Sequence, residues 1–177
     1  MDTKNIILSG FGGQGILFAG KFLAYKGMLE EKEVSWLPSY GPEMRGGTAS
    51  CSVIVSDEKV GSPIISNPNI LIAMNLPSLD KYESTVEKGG IIIADSTLIE
   101  RKVMRDDVTV YYVPATKLAS DNGFPTLANM IIVGKLLRIL GEDGADDLNA
   151  ALSKVISAKR ADMAEKNLKA IQLGASL

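Results

Sequence analysis

The 177-residue sequence contains no histidine and only one cysteine, Cys51. Without histidine there is no imidazole base, no Ser-His-Asp relay and no imidazole metal ligand. One thiol cannot close an internal disulfide, and it cannot hold an iron–sulfur cluster, which takes about four thiolates. If electrons pass through a reaction that this chain serves, another chain must carry them. Charge of one sign is not in excess either. The 19 Lys and Arg stand against 21 Asp and Glu, a net charge of −2, and no basic cluster points to nucleic acid or a membrane surface. No apolar run approaches the roughly 20 residues needed to cross a bilayer. The segment Met1-Asp2-Thr3-Lys4 carries no signal-peptide pattern, so a cytoplasmic protein is expected. The length suits one domain over residues 1–177.

Short apolar runs alternate with helical patterns. Residues 4–9 read as a buried parallel strand, 14–30 as a helix, and 33–37 as a second strand. Ser39 to Gly47 reads as a loop, because Gly41-Pro42 and Gly46-Gly47 break regular structure. From Thr48 to Val55 small polar and apolar residues alternate, which predicts a strand with one buried face. Residues 70–74, 90–94 and 108–113 are further strands, with a helix over 77–86. Helices over 116–120, 126–140, 145–157 and 161–173 follow. The expected fold is α/β, a three-layer α/β/α single domain. Its sheet is mostly parallel, its first strand-turn-helix is Rossmann-like, and its C-terminal part is helical. The 126–140 helix is apolar over more of its surface than one sheet face covers. Either the C-terminal helices wrap it or a partner does.

The first turn carries the clearest chemical signal. Gly10-Phe11-Gly12-Gly13-Gln14-Gly15 follows a strand and opens a helix, as the G-x-G-x-x-G pattern requires. Glycines there permit close backbone approach, and the helix N-terminus offers N–H groups to a phosphate. The bland reading is close helix–sheet packing. Binding of NAD requires an acid at the end of the second strand, where this sequence has Leu37-Pro38-Ser39-Tyr40. The G-x4-G-K match at Gly15 to Lys21 is followed by Phe22 instead of Ser or Thr, and ATP or GTP hydrolysis is rejected. The loop carrying Glu43, Arg45, Gly46 and Gly47 is a second candidate. Its arginine can pair with a phosphate, and the alternative is an ordinary solvated loop. Cys51 reads as a core residue, Asp95 as a helix cap, and Asn129 as a cap or network residue.

Three segments together carry a family resemblance. They are Gly10 to Gly15 with the following Ile16 to Lys21, Ser39 to Cys51, and Phe124 to Met130 with Gly134. On these the chain resembles the gamma subunit of 2-oxoacid:ferredoxin oxidoreductases over nearly its whole length, and Glu43-Met44-Arg45-Gly46-Gly47 is closest to the 2-oxoglutarate and branched-chain members. The resemblance implies a share in oxidative decarboxylation of a 2-oxo acid to acyl-CoA and carbon dioxide, with ferredoxin as electron acceptor. Thiamine diphosphate, magnesium and iron–sulfur clusters would reside in partner subunits: alpha, beta and a ferredoxin-like delta. Coenzyme A would meet this chain at Gly10, Gly12, Gly13, Gln14 and Gly15, aided by Arg45, Gly46 and Gly47, with Glu43 orienting Arg45. No catalytic residue and no metal site is expected here, and the chain alone should be inactive. 2-Oxoglutarate is favoured over 2-oxoisovalerate and pyruvate. The rival is a stand-alone, non-catalytic CoA- or nucleotide-binding module.

Overall fold

The computed structural model describes residues 3–40 and 48–177. Six strands form one sheet: β1 (Thr3–Phe11), β2 (Glu33–Tyr40), β3 (Thr48–Ser56), β4 (Ile70–Ala73), β5 (Ile91–Asp95) and β6 (Thr109–Val113). Their order is β2-β3-β1-β4-β5-β6. β1, β4, β5 and β6 pair in parallel, while β3 runs antiparallel to both β1 and β2. Thus one strand opposes the other five. β1 makes its one parallel pairing with β4; on its other side it pairs with the antiparallel β3. The helices are α1 (Ile16–Leu29), α2 (Leu76–Tyr82), α3 (Ala115–Asp121), α4 (Ala128–Leu140), α5 (Ala145–Val155) and α6 (Ala161–Ala175).

Period-2 alternation divides the core. Ile6 and Leu8 of β1 enter the large cluster with α1, α3, α4, α5 and α6. Ile7 turns to the opposite face, where α2 brings Leu79 and Val86 follows it. The three layers are therefore unequal. Asn75 caps α2 by accepting from the Ser78 N–H at 2.9 Å, and proline stands in the helix's first turn. β2 runs three residues beyond its expected end. Pro38, Ser39 and Tyr40 pair with Cys51, Ser50 and Ala49, which an edge strand tolerates because one side of its backbone has no ladder to donate to.

α4 is wrapped within the chain. Met130, Ile131, Ile132, Val133 and Leu136 are fully buried, and α6 is the main cover. Two glycines make that crossing possible. A Cβ at Gly134 would collide with the Ile171 carbonyl, and one at Gly174 with the Ile131 carbonyl, both far inside contact distance. Backbone thus lies directly on backbone, and the apolar stripe needs no partner subunit. Gly174→Ala should lower unfolding free energy by about 1–3 kcal/mol through overpacking. Gly61→Ala, at a position open to solvent, should leave it within about 0.5 kcal/mol. Urea unfolding of both variants checks the contrast.

One buried cation ties the far end of the sheet. Lys26, at 2% exposure, pairs with Glu30 and lies 3.6 Å from Glu142, and Glu142 also pairs with Lys4. Glu30 is thus part of a buried ion-pair network. It helps neutralise a lysine that would otherwise be costly to bury.

Candidate functional site at the glycine turn

The chain leaves β1 through a tight turn before α1. Gly13 (φ 95°) and Gly15 (φ 72°) both adopt left-handed backbone, which side chains with a Cβ rarely accept. Gly13 is exposed, and a Cβ there would meet nothing within 4 Å, so its glycine answers to φ alone. Gly10 has a different role. It is buried, and a Cβ would strike the Gln14 side chain, with Met74 Cβ at 3.1 Å. Gly10 therefore serves packing beneath the turn, while Gly12, Gly13 and Gly15 line an open groove of about 310 Å3 beside Phe11, Leu17 and Ala49.

Two carboxamides fix the turn. Gln14 Oε1 accepts from the Phe11 N–H at 2.6 Å, and its Nε2 donates to the Met74 carbonyl at 3.1 Å. The glutamine thus bridges the ends of β1 and β4. Asn129, in the first turn of α4, donates from Nδ2 to the Gly15 carbonyl at 3.0 Å. A Cβ at Gly15 would lie 2.5 Å from that nitrogen. The role expected of Gln14 belongs to its backbone N–H, and Asn129 reads as a cap or network residue. The structure shows both side chains holding the backbone.

The electrostatics favour an anion. Gly15 is the N-cap of α1 and Leu127 the N-cap of α4; neither helix has a side-chain cap or an acidic residue in its first turn. Both N-termini meet at the Gly15–Asn129 bond, so two positive dipole ends converge uncompensated. The start of β3 is close by. Register places Ala49 opposite both Gly10 and Tyr40, and Thr48 opposite Phe11. Glu43, Arg45, Gly46 and Gly47 themselves lie outside the described residues. The same register disfavours NAD. β3 separates β2 from β1, so the end of β2 is not beside the turn, where a ribose-binding acid would be needed.

Two other sequence candidates are structural. Asp95 Oδ1 accepts from the Thr97 N–H at 3.0 Å, and Oδ2 accepts from the Thr116 N–H at 3.2 Å. It thereby caps α3, whose own N-cap, Pro114, offers no side-chain acceptor. Cys51 is 1% exposed between α1 and Trp36. Burial pushes its thiol up to about 12, against smaller opposing effects of Trp36 and the Gly20 backbone. The raised value keeps it protonated and unreactive across the neutral range.

The chain belongs to the pyruvate ferredoxin/flavodoxin oxidoreductase family, whose model matches residues 5–177. It is 36% identical over 174 residues to the 2-oxoglutarate synthase subunit KorC of Methanocaldococcus jannaschii, covering 97% of this chain and 91% of that protein. It is 39% identical over 169 residues to the ketoisovalerate oxidoreductase subunit VorA of Methanothermobacter thermautotrophicus, covering 95% of this chain and 35% of VorA. The chain thus spans about a third of the length of such VorA relatives. Among solved structures it resembles the keto/oxoacid ferredoxin oxidoreductase gamma subunit from Geobacter sulfurreducens, with TM-score 0.81, 27% identity, and 98% and 96% of the two chains covered. The fold also matches a 2-oxoglutarate:ferredoxin oxidoreductase from Magnetococcus marinus that has 2-oxoglutarate, coenzyme A and succinyl-CoA bound. There the TM-score is 0.88 at 22% identity, covering 99% of this chain and 31% of that one.

Two outcomes follow from the geometry. Asn129→Ala removes the clamp on Gly15 and should cost about 1–2 kcal/mol of stability, measured by thermal unfolding. Cys51 in the folded chain should resist iodoacetamide at pH 8.5 and react stoichiometrically in urea; mass spectrometry reads both states.

Proposed function

We propose that this chain is the gamma subunit of a 2-oxoacid:ferredoxin oxidoreductase and that it binds coenzyme A at the corner where its three motif segments meet. The observation that carries the reading is that convergence. The glycine turn, the start of β3 at Thr48 and Ala49, and the first turn of α4 come together through the Gly10–Ala49 register and the Asn129–Gly15 bond. Acting together, two uncapped helix N-termini fit a phosphate better than a neutral ligand.

In this reading the backbone around Gly12, Gly13 and Gly15 receives the diphosphate, and Arg45 adds a charge-assisted bond. Gly46 and Gly47 let the loop backbone approach, and Glu43 orients Arg45. Gln14 shapes the turn through its side chain and meets the ligand only through its backbone. Thiamine diphosphate with magnesium and the iron–sulfur clusters, held by alpha, beta and ferredoxin-like delta partners, supply decarboxylation and electron transfer to ferredoxin. This chain presents the CoA thiol to them and catalyses nothing alone. The acid favoured is 2-oxoglutarate; KorC and VorA relatives, named for different acids, both match well.

The test is an anoxic pull-down of the tagged chain, assayed for CoA-dependent viologen reduction with 2-oxoglutarate, 2-oxoisovalerate and pyruvate in turn. Larger subunits should co-purify and one acid should support turnover. A single inactive chain, recovered from an extract that itself shows the activity, would instead favour the stand-alone binding module. Within the complex, Arg45→Ala should raise the CoA concentration for half-maximal rate by roughly ten- to a hundredfold, the worth of a hydrogen bond to a charged group. An unchanged CoA dependence removes Arg45 from the site.

A further inference from the structure

Positive charge gathers at the corner that joins α5 to α6. Residues 154–169 hold five Lys and Arg against two Asp and Glu, in a chain whose net charge is −2. Lys169 pairs with Glu165. Lys154, Lys159, Arg160 and Lys166 are exposed, and none forms a salt bridge with a described carboxylate. Lys26, Arg101 and Arg105, by contrast, each meet one. The same corner borders a cleft of about 500 Å3, which lies between it and the N-termini of α1 and α4. Phe18, Leu127, Ile156 and Met163 are among the walls, Arg160 lines it too, and no carboxylate does. Phe18, Ile156 and Met163 are only half-buried, so the chain by itself leaves apolar surface wet there. The two helix N-termini add to the positive potential, because neither first turn carries an acid.

We infer that this corner docks a larger subunit of the same complex, through an acidic segment whose apolar side chain fills the cleft. The inference rests on the gamma-subunit reading above and adds the contact surface that reading lacks. A stable interface has an apolar, charge-depleted centre inside a polar rim. Its binding energy concentrates in an anchor side chain seated in a desolvated pocket. The corner has both parts: an apolar cleft free of carboxylates, and four cations without a carboxylate partner on the segment that walls it. Charge complementarity selects the occupant. An acidic segment is steered to this corner and pairs with the cations, whereas a neutral one leaves them unpaired and a basic one is repelled. The cations are spread over the end of α5, the 158–160 turn and α6. That spread suits a row of carboxylates better than one small anion.

The experiment uses the complex captured anoxically from native cells, with photo-reactive p-benzoylphenylalanine in place of Ser157, an exposed residue of the cleft lining. Irradiation and mass spectrometry should yield a cross-linked peptide from a larger subunit, with Asp and Glu in excess around an apolar side chain. Lys159→Glu combined with Arg160→Glu should lower recovery of that subunit about tenfold, the worth of two exposed ion pairs. It should also remove most of the salt sensitivity of recovery. The control is Lys59→Glu combined with Lys88→Glu, the same change of charge at two exposed cations outside the corner; it should retain the subunit. A lysine in place of the cross-linked partner carboxylate should restore recovery of the Lys159→Glu, Arg160→Glu chain. The cross-link needs neither double variant, so a misfolded one leaves it decisive. A cross-link to a second copy of this chain, to a neutral or basic peptide, or to no peptide of the captured subunits overturns the docking assignment. Equal recovery with the two double variants overturns it as well. Each of these leaves the gamma-subunit reading standing. Capture of no larger subunit by the unaltered chain, from an extract that shows the activity, sinks both.

Discussion

The bond from Asn129 to the Gly15 carbonyl holds the site's geometry. It joins the first helix of the chain to the fourth, 114 positions later. Gln14 adds the second fixed point by spanning from Phe11 to the end of β4. A turn with two left-handed glycines has many accessible conformations in an unfolded or loosely packed chain. Clamped by two carboxamides, it has few. The backbone N–H groups are therefore set before any ligand arrives, which reduces the ordering cost of binding. The same clamp explains why α4 begins where it does. Its N-terminus is anchored to the turn, and its length is buried under α6.

Sheet topology brings the other parts to that corner. α1 leaves β1 for one face of the sheet, and α2 leaves β4 for the other. The crevice between β1 and β4 is therefore a topological switch point, where open α/β sheets place ligands. The antiparallel β3 then does what a parallel neighbour could not. Its N-terminal end, Thr48 and Ala49, lies beside the C-terminal end of β1. A wholly parallel order would carry the start of β3 to the opposite edge. The single reversed strand thus sets the start of β3 beside the glycine turn.

Much of this was legible in the sequence because it is local. The strand-turn-helix at residues 4–30, the alternation at Thr48–Val55 and the apolar α4 stripe are set by periods of 2 and 3.6 and by glycine punctuation. The roles of side chains were less legible. The sequence assigns the Gln14 backbone to a ligand and says nothing of its carboxamide; both polar atoms of that group meet backbone, and the deciding partner, the Met74 carbonyl, lies 60 positions away. Gly134 and Gly174 behave similarly. Each is an ordinary helical glycine until the two helices cross, and only then does its missing Cβ matter. Ser39 and Tyr40 read as loop from composition but pair with β3, since edge pairing overrides turn propensity. The identity of Asn129 as the turn's anchor had a signal only in the joint occurrence of the first and third motif segments.

The buried α4 also decides how the core is closed. Wide apolarity on that helix left two possibilities, cover by its own chain or by another subunit, and the glycine-to-backbone crossing with α6 settles it in favour of the former. The core is then complete within one domain, consistent with a relative of nearly equal length such as KorC and with the longer VorA, of which this chain matches a third. A domain with a closed core can dock through a modest polar surface, because its folding does not depend on the contact. Such a surface permits movement between domains. The rigid elements gather at the turn, which Asn129 and Gln14 hold.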